Sequence, residues 1–452
     1  MRRFVFYAVL AAFAGLPEVV VASDGLVGEA KAAMKKAASY FRSISTNGGY
    51  VGIYSLDLQE RYGEAVYEKA GPSEIWVQPP GTPTVGQCYL RAWKVTGDKF
   101  YFDAARDVAR ALVWGQRRIG GWDHRVDVAH LTPDAKTSIR KEGRCTFDDN
   151  ITQGALKFLI DADSTIDEPW LTEGVELGIA FMIKSQFANG AWPQWYPLRG
   201  GYYDYYTFND NAINDCIDVM LKAHKAYGND EYLASARRGG DFIIASQLPG
   251  PQAGWAQQYS HDMKPAWARS FEPPGVCTAV TARNIRTLVQ LYLYTKDAKY
   301  LAPIPAAIEW LNESKIGDNL WARLYEVGSN RPIYGDREDG NKVHYDYEKV
   351  SLKERSSYGW RGEYGIGNAT SYYHQVKSIG AEAYPAEQQE EPSAALRAER
   401  LRKAAFSAGE AIAALDKKGR WIAEDRITCE TFVRNFRILY DYLELAQPAQ
   451  SP

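Results

Sequence analysis

Four tryptophans, Trp122, Trp192, Trp255 and Trp321, stand 70, 63 and 66 residues apart and close four similar stretches of chain. The stretch "YLRAWKVTGDKFYFDAARDVARALVWGQRRIGGW" has an apolar helix, a short turn, a second amphipathic helix ending in Gln, and a Gly-rich turn before Trp122. "WLTEGVELGIAFMIKSQFANGAWPQWYP" repeats its second half with Gln186 and Trp192. The whole pattern returns before Trp255, with Gln247, and again before Trp321. Apolar residues recur at three- and four-residue spacing, so each unit is a helical hairpin. A lone hairpin cannot bury its apolar face, and neighbouring hairpins must stack. Units of roughly 60–70 residues predict a closed ring of helix pairs with the aromatic Gly-rich loops at one mouth. The expected fold is therefore mainly α, an (α/α) toroid of paired helices with a few short added β-strands, in a single domain over 23–452. A last helix pair, roughly 394–446, is expected to close the ring.

Two segments break this period. Residues 325–375 are rich in Gly, Tyr, Arg and Asp and predict short strands and a long ordered loop. Residues 379–393, "IGAEAYPAEQQEEPS", read as a surface linker. At the start, Arg2 and Arg3, the apolar run "FVFYAVLAAFAGL" and the small residues Val20-Val21-Ala22 predict a signal peptide over 1–22. The apolar run is too short to span a bilayer. The chain is thus expected to be secreted or periplasmic, with no membrane contact after cleavage. A formal charge of −3 gives no reason to expect nucleic acid as a partner, and a monomer is expected. Five scattered cysteines form neither a disulfide framework nor a zinc spacing; one or two bridges and buried free thiols are equally open.

Repetition does not explain the acids. "CTFDDNITQGALKFL" places Asp148, Asp149 and Asn150 before one helix, and "YTFNDNAINDCIDVM" places Asn209, Asp210 and Asn211 before another. Either triplet alone reads as a helix cap. Together, at equivalent repeat positions, they make two acid-bearing turns that a toroid can bring face to face. Asp148, Asp149, Asp210 and the adjoining amides are hard oxygen ligands suited to Ca²⁺, and their mutual repulsion calls for a cation or a basic partner. Arginines recur in loop-like sequence: Arg199, Arg269, Arg323, Arg337 and Arg355. Each alone reads as a surface ion pair. Beside aromatic loops they are candidate forks for ligand carboxylates. Thirteen Trp and 30 Tyr suit a flat, half-apolar surface such as a sugar ring, with Trp192 and Tyr203 the candidate platform. Metal for the acids, anions for the arginines and sugar faces for the rings point to an acidic polysaccharide.

"GTPTVG" (81–86), "TFDDNITQGALKFL", "GAWPQWYPLRGGYYDYYTFNDNA", "WARSFEPP" and "WARLYEVGSNRPIYGDREDG" occur in an order that resembles the family-ten polysaccharide lyases, which are pectate lyases. The resemblance spans roughly 78–375. It implies a helical toroid, calcium-assisted cleavage of polygalacturonate and an arginine as base. Carried over by motif, Asp148 lies near the ion and the scissile sugar. Asp210 is implied to bind calcium, Arg269 and Arg337 to bind substrate, and Arg355 in "KERSSYGW" to be the base; Asp149 and Asn211 are added as candidate calcium ligands and Arg199 as a candidate substrate fork. Many relatives have Asp-Asn where this chain has Asp148-Asp149, an extra carboxylate at the cation.

The implied reaction is β-elimination on α-1,4-polygalacturonate, giving 4,5-unsaturated oligogalacturonides. No histidine is obviously placed as base, and His124 and His130 stand in reserve. Two rivals remain: a glycoside hydrolase acting on acidic oligosaccharides with paired Asp residues, and a non-catalytic acidic-glycan-binding protein.

Overall fold

The computed structural model describes residues 24–129, 140–384 and 393–447. The export-like segment 1–22 and His130 lie outside these residues, as does most of the expected linker. The fold is mainly helical, an α/α toroid with short strands. Five helices pack side by side in sequence around the ring, α2 (Thr82–Thr96), α4 (Ile151–Ile166), α6 (Ala212–Tyr227), α8 (Thr278–Thr295) and α11 (Ile366–Ile379), and a sixth, α13 (Cys429–Ala446), lies against α2. The outer layer holds α3 (Lys99–Gly115), α5 (Pro169–Ser185), α7 (Asp230–Ala245), α9 (Ile304–Glu313) and α12 (Ala394–Ala413), each against its sequence partner in the inner layer. The expected closing pair is therefore present as α12 and α13. A helix not anticipated from the repeats, α1 (Asp24–Ser43), packs against both. There Phe41 stacks on Phe432, with ring centroids 4.0 Å apart.

The repeated residues hold this ring together. The indole N–H groups of Trp122, Trp192, Trp255 and Trp321 donate to the carbonyls of Leu112, Met182, Ile243 and Leu311, near the end of each unit's outer helix. Trp421 does the same to Ala411, a fifth instance outside the four-unit pattern. The repeated glutamines tie one unit to the next. Gln116 Nε2 donates to the carbonyls of Gly120 and Gly174, Gln186 Nε2 to those of Gly190 and Ser235, and Gln247 Nε2 to those of Ala253 and Pro303. In two of these turns only glycine fits. Gly120 (φ +113°) and Gly190 (φ +95°) are left-handed, and a Cβ would lie 2.4 Å from Leu177 O and 2.0 Å from Arg238 O, respectively.

Short antiparallel strands link neighbouring loops at one mouth. Cys145–Thr146 pairs with Trp195–Tyr196, and Tyr206–Thr207 pairs with Gln258–Tyr259. Each of these first strands runs through an acid triplet directly into an inner helix, α4 or α6. Residues 325–375 form short strands, loops and the one-turn helix α10 (Leu352–Ser357), as expected, but α11 already begins inside that segment. All five cysteines are free and buried, so the open question of bridges resolves to thiols packed in the core. No helix among the described residues is long and apolar enough to cross a membrane.

Candidate active site

The two acid triplets adopt the same backbone. Asp149 (φ 48°, ψ 30°) and Asn150 (φ 57°, ψ 32°) are both left-handed, as are Asp210 (φ 46°, ψ 33°) and Asn211 (φ 62°, ψ 21°). Consecutive left-handed residues other than glycine are costly, and Asn and Asp tolerate them best. Neither triplet caps its helix: no side-chain cap bond is made at the start of α4 or α6. The capping interpretation therefore fails for both, and the carboxylates are left for another use.

The turns pack against one another, which brings Asp148, Asp149 and Asp210 together. Burial pushes the Asp148 carboxyl up to about 7, and the charges of Asp149 and Asp210 add to it. Burial and Asp210 push Asp149 up to about 6. Asp148 Oδ2 accepts from Gln194 Nε2 at 2.7 Å and Asp149 Oδ2 from Gln78 Nε2 at 3.2 Å. The oxygens Asp148 Oδ1, Asn150 Oδ1 and Asn209 Oδ1 are buried with no hydrogen-bond partner among the described residues. Orphaned hard oxygens among repelling carboxylates fit a divalent cation.

The tightest cluster differs from the expected ligand set. A ring nitrogen of His124 and one oxygen each of Asp148 and Asp149 lie within 4.8 Å of one another. Asp210 stands outside that group, near enough to raise both carboxyls. Asn211 is exposed beside it. Burial works to lower the His124 pKa, but its hydrogen bond to Asp123 and the charges of Asp123, Asp148 and Asp149 raise it overall.

The arginines divide into two groups. Arg269 donates through Nε and Nη2 to Glu272 at 2.7 and 2.8 Å and lies 4.9 Å from the Phe271 ring. It interacts with both turns, since its charge lowers the Asp149 pKa and Asp210 helps to raise its own. Arg337 pairs with Glu354 at 2.5 Å and stacks 3.8 Å from Phe271, while Arg323 lies 4.8 Å from the Tyr358 ring. Tyr358 packs on Phe271, so the three guanidinium groups surround one aromatic pair. Glu272 organises the cluster: it also accepts from Gln257 Nε2 and the Tyr358 hydroxyl, and these partners hold its carboxyl down to about 2 against the opposing effect of burial.

Arg355 is placed differently from the expectation. It is held by Glu348 and faces the Tyr347 ring at 5.4 Å, and none of its described contacts reaches either acid turn. Its neighbour on α10, Glu354, points into the cluster instead, through Arg337. Arg199 is exposed in the loop after Trp195, with no described side-chain contact to the acids. Trp192 is wholly buried with its indole bonded to Met182, so it cannot meet a sugar. Among the half-buried rings Trp195 stacks on Tyr203 at 3.5 Å and Tyr202 lies tilted against Tyr203 at 3.8 Å, with Arg144 3.9 Å from the Trp195 ring. Tyr203 is thus a half-buried ring beside Trp195 rather than Trp192.

Gln78, Gln194 and Gln257 escape the motif reading and His124 enters it only as a reserve base, yet a shared signal marks them together with Arg323. Gln78, His124, Gln194, Gln257 and Arg323 each stand two residues after a tryptophan: Trp76, Trp122, Trp192, Trp255 and Trp321. The three glutamines donate to an acid of the site, and His124 has a ring nitrogen within 4.8 Å of oxygens of Asp148 and Asp149.

Comparison with known proteins agrees on the class. The family model described as pectic acid lyase matches residues 116–319 and 313–368, together more than half of the chain. Among solved structures, a mutant family 10 polysaccharide lyase from Cellvibrio cellulosa in complex with trigalacturonic acid is 23% identical, with a TM-score of 0.50, covering 65% of this chain and 98% of that one. A second structure of a family 10 polysaccharide lyase from the same organism is 22% identical, with a TM-score of 0.50, covering 67% and 97%. A family 76 glycoside hydrolase (mannosidase) from Bacteroides thetaiotaomicron shares the fold at 10% identity and a TM-score of 0.50, covering 93% and 99%. No curated protein matches the sequence. With acid turns opposite an arginine cluster at the mouth of a helical toroid, and with this family match over most of that mouth, the chain belongs to the pectic acid lyase family and is a polysaccharide lyase.

Proposed function

We propose that the protein cleaves α-1,4-polygalacturonate by β-elimination, with Ca²⁺ at the two acid turns, releasing 4,5-unsaturated oligogalacturonides. The observation that carries this reading is the meeting of Asp148, Asp149 and Asp210, with orphaned buried oxygens, beside Arg269. A solved relative was crystallised with trigalacturonic acid, which supports a uronate as the ligand. Asp148, Asp149 and Asp210 would hold the ion, with Asn150 and Asn209 supplying further oxygens. Bound there, it would draw charge from the substrate carboxylate and so acidify the neighbouring C5 proton. Arg337 and Arg323 bind uronate carboxylates, and Tyr203 with Trp195 carries a sugar face.

In the elimination the C5–H bond breaks, its electron pair forms the C4=C5 double bond, and the C4–O bond breaks with its pair on the leaving oxygen. That oxygen takes a proton from water, and the C5 proton passes to an arginine nitrogen. Arg269 fits this role better than Arg355 because it alone of the two interacts with the acid turns. In the free protein burial favours loss of its proton, but Glu272 outweighs that and keeps the group charged. The charge of Glu272 is shared with Gln257 and Tyr358, and Arg269 gives up its proton more readily once positive charge is placed at the neighbouring turns. A polymeric substrate suits an exported enzyme, acting as a monomer in the periplasm or the medium.

Incubation with polygalacturonate at alkaline pH, followed in the ultraviolet, tests the reading. Absorbance from the new double bond should rise with calcium and stop on adding EDTA. Chain shortening without that absorbance would mean hydrolysis, and retention on pectate with neither change would mean binding alone.

A further inference from the structure

We propose that His124 is itself a metal ligand, so that the acid-turn site is a mixed nitrogen–oxygen site that binds divalent transition ions such as Mn²⁺ or Co²⁺ more tightly than Ca²⁺. This rests on the cation site assigned above and adds a nitrogen ligand to it, with the ion preference that follows. The geometry is that of a prepared imidazole. His124 Nδ1 lies 3.0 Å from Asp123 Oδ1, which also accepts the His124 backbone N–H at 2.9 Å. Asp123 is gripped in turn by Arg144, through Nε to Oδ2 and Nη2 to Oδ1, both at 3.2 Å. Arg144 is fixed by stacking on Trp195, and Trp195 by stacking on Tyr203.

A carboxylate accepting from Nδ1–H sets the tautomer and leaves the Nε2 lone pair bare, the arrangement that metal-bound imidazoles use. Nε2 has no hydrogen-bond partner among the described residues. The same imidazole lies within 4.8 Å of the Asp148 and Asp149 oxygens, and the buried Asp148 Oδ1 has nothing else to satisfy it. Two carboxylates and one imidazole would give the ion three protein donors, beside the oxygens assigned above. Calcium takes oxygen ligands and gains little from an imidazole, whereas first-row transition ions gain more, Co²⁺ above Mn²⁺. An ion-binding role also accounts for Asp123 and Arg144, which the elimination itself does not use.

The test is calorimetric titration of the chelator-stripped full-length protein with Ca²⁺, Mn²⁺ and Co²⁺, joined to pulsed electron paramagnetic resonance of the Mn²⁺-loaded protein. Co²⁺ is expected to bind at least about tenfold more tightly than Ca²⁺ and Mn²⁺ by a smaller margin, with nitrogen hyperfine coupling in the Mn²⁺ spectrum. His124→Ala should abolish that coupling and weaken Mn²⁺ by roughly 10–100-fold, with a much smaller effect on Ca²⁺. The wild-type spectrum decides the matter even if the variant folds poorly. Mn²⁺ bound without nitrogen coupling, or more weakly than Ca²⁺, overturns the proposal; if calcium still drives release of unsaturated product, the lyase reading survives that failure. A nitrogen-coupled Mn²⁺ site in a protein that yields no unsaturated product supports the proposal and removes the lyase reading instead.

Discussion

Asp148 and Asp149 govern how the protein responds to pH. Their folded-state pKa values, about 7 and about 6, lie above the ordinary aspartate value, so the folded protein holds protons that the unfolded chain has already released. Without a divalent ion, stability is therefore expected to fall as pH rises from about 4 to 7, and added calcium should restore it above that window. Asp148→Asn should raise the stability of the cation-free protein at pH 8 by roughly 1–3 kcal/mol and remove most of the gain from calcium, as read by denaturant unfolding. Among the arginines, Arg269→Lys is expected to lower kcat at least about 100-fold and Arg355→Lys less than about threefold. Equal losses would return Arg355 to the site. The acids were legible because two short motifs matched each other. Arg355 was not, since the position of a side chain in an irregular segment depends on the path of that segment. His124 stood only as a reserve base, because a histidine after a tryptophan carries no spacing signal until the Trp-plus-two pattern is compared across the five tryptophans.

At the scale of the element, the recurring tryptophan is a clasp between the end of an outer helix and the strand that follows. Trp192→Ala should cost about 3–5 kcal/mol of stability, and Trp192→Phe about 1–2 kcal/mol through the bond lost to the Met182 carbonyl. Neither change should act first on KM, as loss of a sugar platform would; Trp195→Ala should do so instead. Gly190→Ala places a Cβ 2.0 Å from the Arg238 carbonyl at a left-handed φ, and a loss of several kcal/mol is expected in the same denaturation experiment. Helix pairs and their order were readable from three- and four-residue periodicity and from the Gln and Trp that end each unit. Which rings stay accessible was not, because burial depends on the loop path that sends Trp192 wholly inward and leaves Trp195 half-buried.

For the whole molecule, one apolar cluster runs from Ala30 to Leu443, through helices at both ends of the chain. The family match stops at residue 368, yet α13 still lies against α2, with Phe436 edge-on to Tyr89 and Tyr101. A chain ending at residue 384 should therefore fail to unfold cooperatively by calorimetry, whereas a separable terminal unit would leave the transition intact. Closure by 394–446 was visible in the sequence as a final amphipathic pair; α1 was missed because it belongs to no repeat. The central claim is that both acid turns share one ion beside Arg269. Its most direct test is a double-mutant cycle on calcium affinity with Asp149→Asn, Asp210→Asn and the pair. Shared coordination predicts strongly non-additive losses, the double variant binding little worse than either single one. Additive losses, or calcium affinity untouched by Asp210→Asn, would contradict it.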